Sequence, residues 1–131
     1  IKNYIESTVE KAREFQYVET MLGRRRPVWD IDSTNHLHRE AAKRMAINMP
    51  IQGTNAEMIK IAMVAIQKKI EYEHMESKMV LQVHDELVFE VPDEELDPLK
   101  SLVIAEMESA LPLSVPIVVD CGHGKSWFEA H

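Results

Sequence analysis

The chain has 131 residues, 45% hydrophobic and 28% charged, with a formal net charge of −7, a composition that suits one globular domain and excludes disorder as its main description. No apolar run reaches the roughly 18 residues of a membrane span and no basic-then-apolar leader opens the chain, so neither a membrane partner nor secretion is expected. The single cysteine, Cys121, excludes an internal disulfide framework and suits a reducing compartment, which favours a cytoplasmic location.

The first half of the chain combines helix signals with a short turn region. Apolar residues recur at helical spacing at its start, and three capping residues precede a second apolar helix pattern. Pro50 is expected to break or kink that second helix, because proline has no N–H to donate and its ring clashes with the preceding turn. The predicted elements are a helix over 1–16, a short strand over 17–22 turned at Gly23, an irregular return over 27–31, and a helix from 33–35 to about Met49.

The second half is dominated by a long hairpin between two helices. Thr54 and Glu57 form a T-x-x-E capping box, which predicts the start of a new helix. The order of elements favours an α+β fold, with helices packed on one face of a small antiparallel sheet that has this hairpin at its centre. The predicted elements are hairpin strands over 80–83 and 87–91, a helix over about 94–111, a final strand over 116–121 and a tail over 122–131.

The tip of the long hairpin is His84-Asp85-Glu86, and no glycine lies between Lys78 and Pro92. Hairpin turns favour Asn-Gly or Asp-Gly, and adjacent carboxylates repel each other. A hard divalent cation such as Mg²⁺ relieves that repulsion by taking carboxylate oxygens, although a solvated acidic turn explains the same residues equally well. Because neighbouring strand side chains point to opposite faces, one of the two carboxylates is expected to be a firm metal ligand and the other peripheral.

A row of hydrogen-bond donors lies on the second helix. Arg44, Asn48 and Gln52 stand four residues apart, so they share one face if the helix continues through Pro50 with only a kink. A polar row is most often the wet side of a helix, but the other residues of this helix are mostly apolar. Gly53 follows directly, and a glycine at that point lets another backbone approach closely.

Three adjacent arginines, at positions 24–26, follow Gly23 in the first turn. The guanidinium group suits phosphate oxygens, so the run is typical of a nucleic-acid contact, although exposed arginine runs are common. Charge is also uneven: residues 1–50 carry nine Lys and Arg against seven Asp and Glu, and residues 51–131 carry six against fifteen. The balances of +2 and −9 favour a polyanion surface beside an acidic one, although solvated acidic helices produce the same count.

Two stretches together carry a family resemblance. The hairpin motif at 83–86, Val-His-Asp-Glu, follows a helix that carries Asn-Met-Pro-Ile-Gln-Gly-Thr at 48–54, and this pattern resembles the C-terminal end of family A DNA polymerases. The resemblance implies that residues 1–16 are the last part of the fingers and residues 17–131 are palm, in one C-terminal segment of a longer polymerase. A chain that begins at Ile1 rather than Met fits this expectation. Further support comes from 17–20, 24–26, 39–42 and 81–92, so the resemblance covers essentially all 131 residues.

The resemblance also implies the chemistry. The family's palm holds two Mg²⁺ ions that drive the transfer of dNTPs onto the 3′ end of a primer paired with a template. Asp85 matches the metal-ligating carboxylate of the family's third motif, and Glu86 matches its less critical catalytic neighbour near the primer end. Minor-groove acceptors are nearly the same for all base pairs, so donors there test pair geometry without reading sequence. The implied DNA contacts are His84 to the primer terminus, Arg44, Asn48 and Gln52 to the minor groove at the new base pair, and Arg26 to template phosphate.

Parts of the family's catalytic machinery do not occur in this chain. The family's first motif supplies the other metal-binding aspartate, and its fingers helix binds the incoming nucleotide. We therefore expect the isolated chain to be inactive as a polymerase, and to self-associate through a hairpin edge that the family's first-motif strand would cover. Two other interpretations remain: a non-catalytic DNA-binding or structural module with a palm-like fold, and a small metal-dependent hydrolase that uses Asp85 and Glu86.

Overall fold

The computed structural model describes residues 1–130, which form an α+β fold as predicted. The strands form two separate two-stranded sheets rather than one small sheet. The chain divides into two compact units, Ile1–Glu57 and the residues from Met58 onward. The elements in chain order are α1 (Lys2–Phe15), β1 (Tyr17–Glu19), β2 (Arg25–Pro27), a 3₁₀ turn (Trp29–Asp32), α2 (His36–Tyr72), β3 (Lys78–Val83), β4 (Glu86–Glu90), a second 3₁₀ turn (Asp93–Glu95), α3 (Leu96–Glu108) and α4 (Trp127–Ala130).

The core of the first unit forms where α1, the β1–β2 hairpin and the start of α2 bury their small and branched side chains. The apolar spacing of α1 places Ala12 inward, and the helix ends at Phe15, after which Gln16, with a φ of 59°, turns the chain toward β1. β1 and β2 pair antiparallel, with Val18 opposite Arg26, on either side of the predicted turn. The buried cluster consists of Ala12, Val18, Val28, Ile31, Ala42 and Ala46.

Pro50 lies inside α2 and does not end it, so the predicted helix end near Met49 is wrong, and of the two expected effects, a break or a kink, the break does not occur. Proline in a helix interior costs about 3 kcal/mol, because one backbone hydrogen bond is lost and the ring crowds the preceding turn. Buried side chains lie on both sides of it, Ala46 one turn before and Thr54 one turn after. Burial of the helix on either side of Pro50 offsets that local cost, and residues 36–72 form one helix.

The predicted capping box is also wrong, because Thr54 and Glu57 lie in the helix interior. The Thr54 hydroxyl donates to the carbonyl of Pro50 at 2.6 Å and accepts a hydrogen bond from the backbone N–H of Met21 at 3.0 Å. Glu57 Oε1 accepts from Arg24 Nε at 3.0 Å. Both side chains therefore bind the turn that follows β1, rather than the start of a helix.

That turn, residues 20–24, packs closely on α2 beside Gly53. A Cβ added to Gly53 would lie 2.6 Å from Cγ2 of Thr20, a side chain that is only 4% exposed. The Thr20 hydroxyl in turn accepts from the backbone N–H of Arg24 at 3.1 Å. The expectation that another backbone approaches Gly53 is wrong, because the nearest group is the side chain of Thr20.

The core of the second unit lies between one face of the β3–β4 hairpin and the helical residues packed against it. Met79, Leu87 and Phe89 project from the hairpin onto this cluster. They follow the period of two that puts alternate strand residues on one face. The buried helical members are Ala62, Ile66, Ile70, Leu99 and Val103.

The opposite face of the hairpin is open to solvent. The pairing register shifts between Met79 and Leu81, which leaves Val80 without a partner across the strands. Val80 is 53% exposed and Leu81 is 45% exposed. The expected self-association through this hairpin stays a prediction.

Glu95 joins the turn before β3 to the turn before α3. Its carboxylate accepts hydrogen bonds from the backbone N–H groups of Glu76 at 2.8 Å and Ser77 at 2.9 Å, and from the Ser77 hydroxyl. These bonds, the one from the Ser77 side chain above all, lower the pKa of Glu95. Because the folded-state pKa is lowered, the stability gained here is present above the unfolded pKa and is lost in acid.

The C-terminal predictions are only partly confirmed. The helix predicted over 94–111 is present as the second 3₁₀ turn followed by α3, but the strand predicted over 116–121 does not form. A β pattern needs a partner strand, and the backbone N–H of Val119 instead donates to Glu108 Oε1 at 3.2 Å. Among residues 1–130, no helix combines the length and apolar composition that crossing a bilayer requires.

Replacing Gly53 by Ala is expected to destabilise the chain, although Ala is the better helix former by about 1 kcal/mol. The new methyl group would collide with Thr20 Cγ2, and overpacking a buried contact costs about 1–3 kcal/mol. Adding Thr20→Ser removes the colliding methyl, keeps the hydroxyl, and should recover the stability. Urea unfolding followed by circular dichroism compares the variants, and a Gly53→Ala protein as stable as the wild type would contradict this packing.

Candidate functional site

The His84-Asp85-Glu86 motif forms the solvent-exposed tip of the β3–β4 hairpin. Val83 ends β3 and pairs with Glu86, the first residue of β4, so His84 and Asp85 are the two loop residues. All three motif side chains are exposed. Asp85 therefore lies in the turn rather than in a strand, and the turn determines how its carboxylate is presented relative to that of Glu86.

The absence of glycine from this turn has a structural explanation. His84 has a φ of 53°, in the left-handed region, and it occupies the position at which glycine is usual. This conformation costs an L-residue about 1–2 kcal/mol. Gln82 supports the turn, since its Nε2 donates to the carbonyl of His84 at 3.2 Å. An exposed imidazole side chain thus stands where backbone geometry alone favours glycine.

The two carboxylates at the tip suit a hard cation. Mg²⁺ takes one or two carboxylates from a protein and completes its octahedral shell with water and substrate phosphates. Asp85 and Glu86 offer that number of carboxylates at an accessible position. Within residues 1–130, no group of three or more His, Cys, Asp or Glu side chains is placed to hold a metal ion.

The donor row lies on the exposed side of α2. Because the helix continues through Pro50, Arg44, Asn48 and Gln52 share one face, and all three side chains are exposed. Asn55 stands three residues beyond Gln52 on the same side and is also exposed. Asn55 was not predicted as part of the row, because the row was defined by a spacing of four residues and Asn55 lies three residues beyond Gln52.

One charged pair lies a turn before this row. Lys43 Nζ donates to Glu40 Oε1 at 2.7 Å, and this hydrogen bond is the main reason why the pKa of Glu40 is lowered. Electrostatic interactions with Lys43, His36 and Arg39 also lower the pKa of Glu40. The lowered pKa favours the ionised form of Glu40, and the positive charge of Lys43 compensates its negative charge. This pair lies next to Arg44, the first residue of the donor row.

The three adjacent arginines have three different environments. Arg24 binds the nearly buried Glu57, while Arg25 Nε binds Glu19 Oε2 at 3.2 Å and its guanidinium lies 4.5 Å from the ring centroid of Tyr17. Arg26 is exposed, and its side chain makes no hydrogen bond or ion pair with any residue in 1–130. Of the three guanidinium groups, that of Arg26 is the most available to a phosphate.

The predicted site residues belong to two units of the structure. Arg26, Arg44, Asn48 and Gln52 all lie in the unit Ile1–Glu57, which gathers the predicted contacts to phosphate and to the minor groove. The hairpin motif at 84–86 lies in the second unit. Each set is exposed within its own unit.

Comparisons with known proteins match the whole chain. The profile of the family DNA polymerase family A matches residues 1–129. DNA polymerase I of Mycobacterium leprae is 46% identical over 130 residues, which are 99% of this chain and 14% of that protein. DNA polymerase I of Lactococcus lactis subsp. lactis is 48% identical over 130 residues, 99% of this chain and 15% of that protein. The chain thus spans about one-seventh of the length of these curated relatives.

A solved structure is similar throughout. The POL domain of Pol1 from M. smegmatis, in complex with DNA primer-template and dNTP, superimposes with a TM-score of 0.96 and is 45% identical. The match covers 98% of this chain and 23% of that one.

The left-handed turn predicts how substitutions of His84 change stability. His84→Gly should leave the free energy of unfolding unchanged or raise it by up to about 1 kcal/mol. Glycine removes the cost of the left-handed conformation in the folded state, and this gain equals or exceeds the cost of glycine's greater chain entropy in the unfolded state. His84→Val should lower it, because a β-branched residue is a rare outlier at positive φ. Urea unfolding and hairpin amide exchange measure both effects, and a valine variant more stable than the glycine variant would show that the turn is not left-handed.

Proposed function

The chain belongs to DNA polymerase family A, and we propose that it functions as part of a template-directed DNA polymerase that adds dNTPs to a primer 3′ end by a two-metal mechanism. The observation that carries this proposal is the match over residues 1–129 together with the exposed tip motif and donor row. Primer-template DNA and dNTPs are the partners in this proposal. Both are present in the complex formed by the similar Pol1 domain.

We assign residues 1–16 to the end of the fingers and residues 17–131 to the palm. The family resemblance supplies this assignment, and the local backbone supports it. α1 ends at Phe15, and the left-handed Gln16 redirects the chain before β1 begins at Tyr17.

In the proposed mechanism, Asp85 is the metal ligand and Glu86 is the auxiliary carboxylate near the primer end. Asp85 would hold Mg²⁺ there, and the ion would supply stabilisation of the negative charge on the transferring phosphoryl group. The turn presents Asp85 from the loop and Glu86 from the first position of β4, which gives the two carboxylates different backbone geometry. His84, between β3 and Asp85, contacts the primer terminus in this proposal.

The donor row is proposed to contact the minor groove at the newly formed base pair. Arg44, Asn48 and Gln52 are exposed on one face of a continuous helix, so all three are accessible to a duplex. The minor-groove acceptors of A, T, G and C have nearly the same positions in correct pairs. Donors on a rigid helix therefore recognise the shape of a correct pair whatever its sequence. Arg26 contacts template phosphate and contributes affinity rather than pair recognition.

Substituting the two carboxylates separately tests the division of their roles. In the complete gene product that contains this segment, Asp85→Ala should lower the rate of single-nucleotide addition by about a thousandfold or more, because a metal ligand supplies several kcal/mol of transition-state stabilisation. Glu86→Ala should reduce the rate much less. Single-turnover extension at saturating dNTP measures both, with the matched variant Glu90→Ala as a control at the far end of β4. Equal losses at Asp85 and Glu86 would refute the assignment.

Contacts to phosphate and contacts to bases should separate in binding experiments. Arg26→Ala should weaken primer-template binding and reduce the slope of log affinity against log salt by about 0.9, the contribution of one phosphate contact. Asn48→Ala and Gln52→Ala should leave that slope unchanged and instead alter extension from mismatched primer ends. Salt-titrated fluorescence anisotropy and mismatch-extension rates measure the two effects, and an equal fall in slope for all three variants would contradict the separation.

The 131-residue chain by itself is proposed to be inactive. Two-metal catalysis needs carboxylates that clamp ions about 4 Å apart, and the resemblance places one of those ligands in another motif of the family. Purified chain, Mg²⁺, primer-template and all four dNTPs should give no extension above an Asp85→Ala control. Template-dependent extension by the wild-type chain alone would overturn this proposal.

A further inference from the structure

Arg24 is held in a way that leaves most of its guanidinium available. Its Nε donates to Glu57 Oε1 at 3.0 Å, and the Arg24 side chain is 60% exposed whereas that of Glu57 is 10% exposed. The two terminal nitrogens of Arg24 make no hydrogen bond with any residue in 1–130. The side chain is thus fixed at its inner edge and free at its outer edge.

Glu57 is an unfavourable residue for packing alone. Its Oε2 is buried and has no hydrogen-bond partner within the described part of the chain, so one carboxylate oxygen is desolvated without compensation. A buried carboxylate bound on one side by a partly exposed arginine is poor evidence of a stabilising pair. Local rules of this kind are broken most often where a residue serves function. The feature that Glu57 does supply is a fixed direction for the Arg24 guanidinium.

The backbone around Arg24 is fixed as well. Its N–H donates to the Thr20 hydroxyl at 3.1 Å, and its carbonyl accepts from the Thr20 N–H at 2.9 Å. The Met21 N–H binds the Thr54 hydroxyl on α2 at 3.0 Å. The turn is therefore attached to the helix by its backbone and by the Arg24 side chain, one helical turn beyond the donor row.

Arg24 and Arg26 are two residues apart, whereas Arg25 between them is bound to Glu19 and Tyr17. Arg26 lies in β2 and Arg24 immediately precedes that strand, so their Cα atoms are at most about 7 Å apart. The phosphates of one DNA strand form a row of negative charges, and arginine forks bind them well. Arg24 and Arg26 can therefore bind neighbouring phosphates, while Arg25 between them binds Glu19 and Tyr17.

We propose that Arg24 is a second contact to the DNA backbone, beside Arg26, and that the buried Glu57 is its positioning residue. The inference rests on the proposed function, because it needs primer-template DNA as the ligand. It adds a contact and a device that orients it: the carboxylate holds Nε so that the terminal nitrogens face a phosphate.

Glu57→Gln distinguishes two roles of Glu57, because an effect of net charge and the positioning of Arg24 change the affinity for primer-template in opposite directions. Removing a negative charge near DNA should tighten binding if only net charge matters. If Glu57 orients Arg24, the amide variant should bind primer-template more weakly, and Glu57→Asp, which keeps the charge, should recover most of the affinity. A purely structural role would lower the melting temperature and leave the salt slope of the folded protein unchanged.

The experiment measures primer-template binding by the complete gene product across about 50 to 200 mM salt. Between the lowest and the highest salt concentration, the affinity of Arg24→Ala should fall by a factor about threefold smaller than the affinity of the wild type does. This difference is the effect of removing one phosphate contact. Glu57→Gln should move the slope in the same direction, and the double variant should be no weaker than Arg24→Ala alone. Arg25→Ala is the matched control, and its slope should equal that of the wild type.

Either of two results would overturn the inference: an Arg24→Ala variant with an unchanged salt slope, or a folded Glu57→Gln variant that binds primer-template at least as tightly as the wild type. If Glu57→Gln does not fold, the Arg24→Ala variant, in which the substituted side chain is exposed, decides the question. The proposed function would still stand without this inference if the wild type binds primer-template and Arg26→Ala lowers the salt slope. A wild type without salt-dependent binding would overturn both.

Discussion

The continuity of α2 through Pro50 is the constraint on which the first unit depends. Without the Pro50 N–H the helix is locally weakened, yet it continues, and the β1–β2 turn packs on the following helical turns through Gly53, Thr54 and Glu57. A break would rotate Gln52 away from Arg44 and Asn48, so the shared face of the donor row is a consequence of tertiary packing. The same contacts hold Arg24, which links the stability of the helix to the placement of a guanidinium group.

The hairpin tip depends on a different constraint, the shortness of its turn. A two-residue loop between Val83 and Glu86 forces one residue into the left-handed region, and the chain places His84 there. Strain of this size persists only where the surrounding strands determine the backbone, and such positions cluster at functional sites. The left-handed backbone of His84 and the unpaired oxygen of Glu57 are alike, because each lowers local stability. In the proposals above, the first places the His84 side chain and the second orients Arg24.

Local patterns predicted the α1 helix, the β3–β4 strands and the exposed polar motifs, because those depend on periodicity and turn chemistry. They failed at Pro50, at the Thr54–Glu57 capping box and at residues 116–121, where a distant partner decides the outcome. No local signal distinguishes Arg24, Arg25 and Arg26, whose roles differ only through Glu57, Glu19 and Tyr17. The family was identified from the hairpin and helix motifs, whereas the roles of individual site residues are still predictions.

The central claim is that this chain supplies the tip motif and the primer-template contacts of a DNA polymerase. A chimera tests it most directly: this chain replaces the matching 23% of the Pol1 POL domain from M. smegmatis, whose structure superimposes with a TM-score of 0.96. The chimera should carry out template-directed extension within about tenfold of the parent domain, a difference of about 1.4 kcal/mol in the barrier. A folded chimera that binds primer-template and dNTP but adds no nucleotide would contradict it.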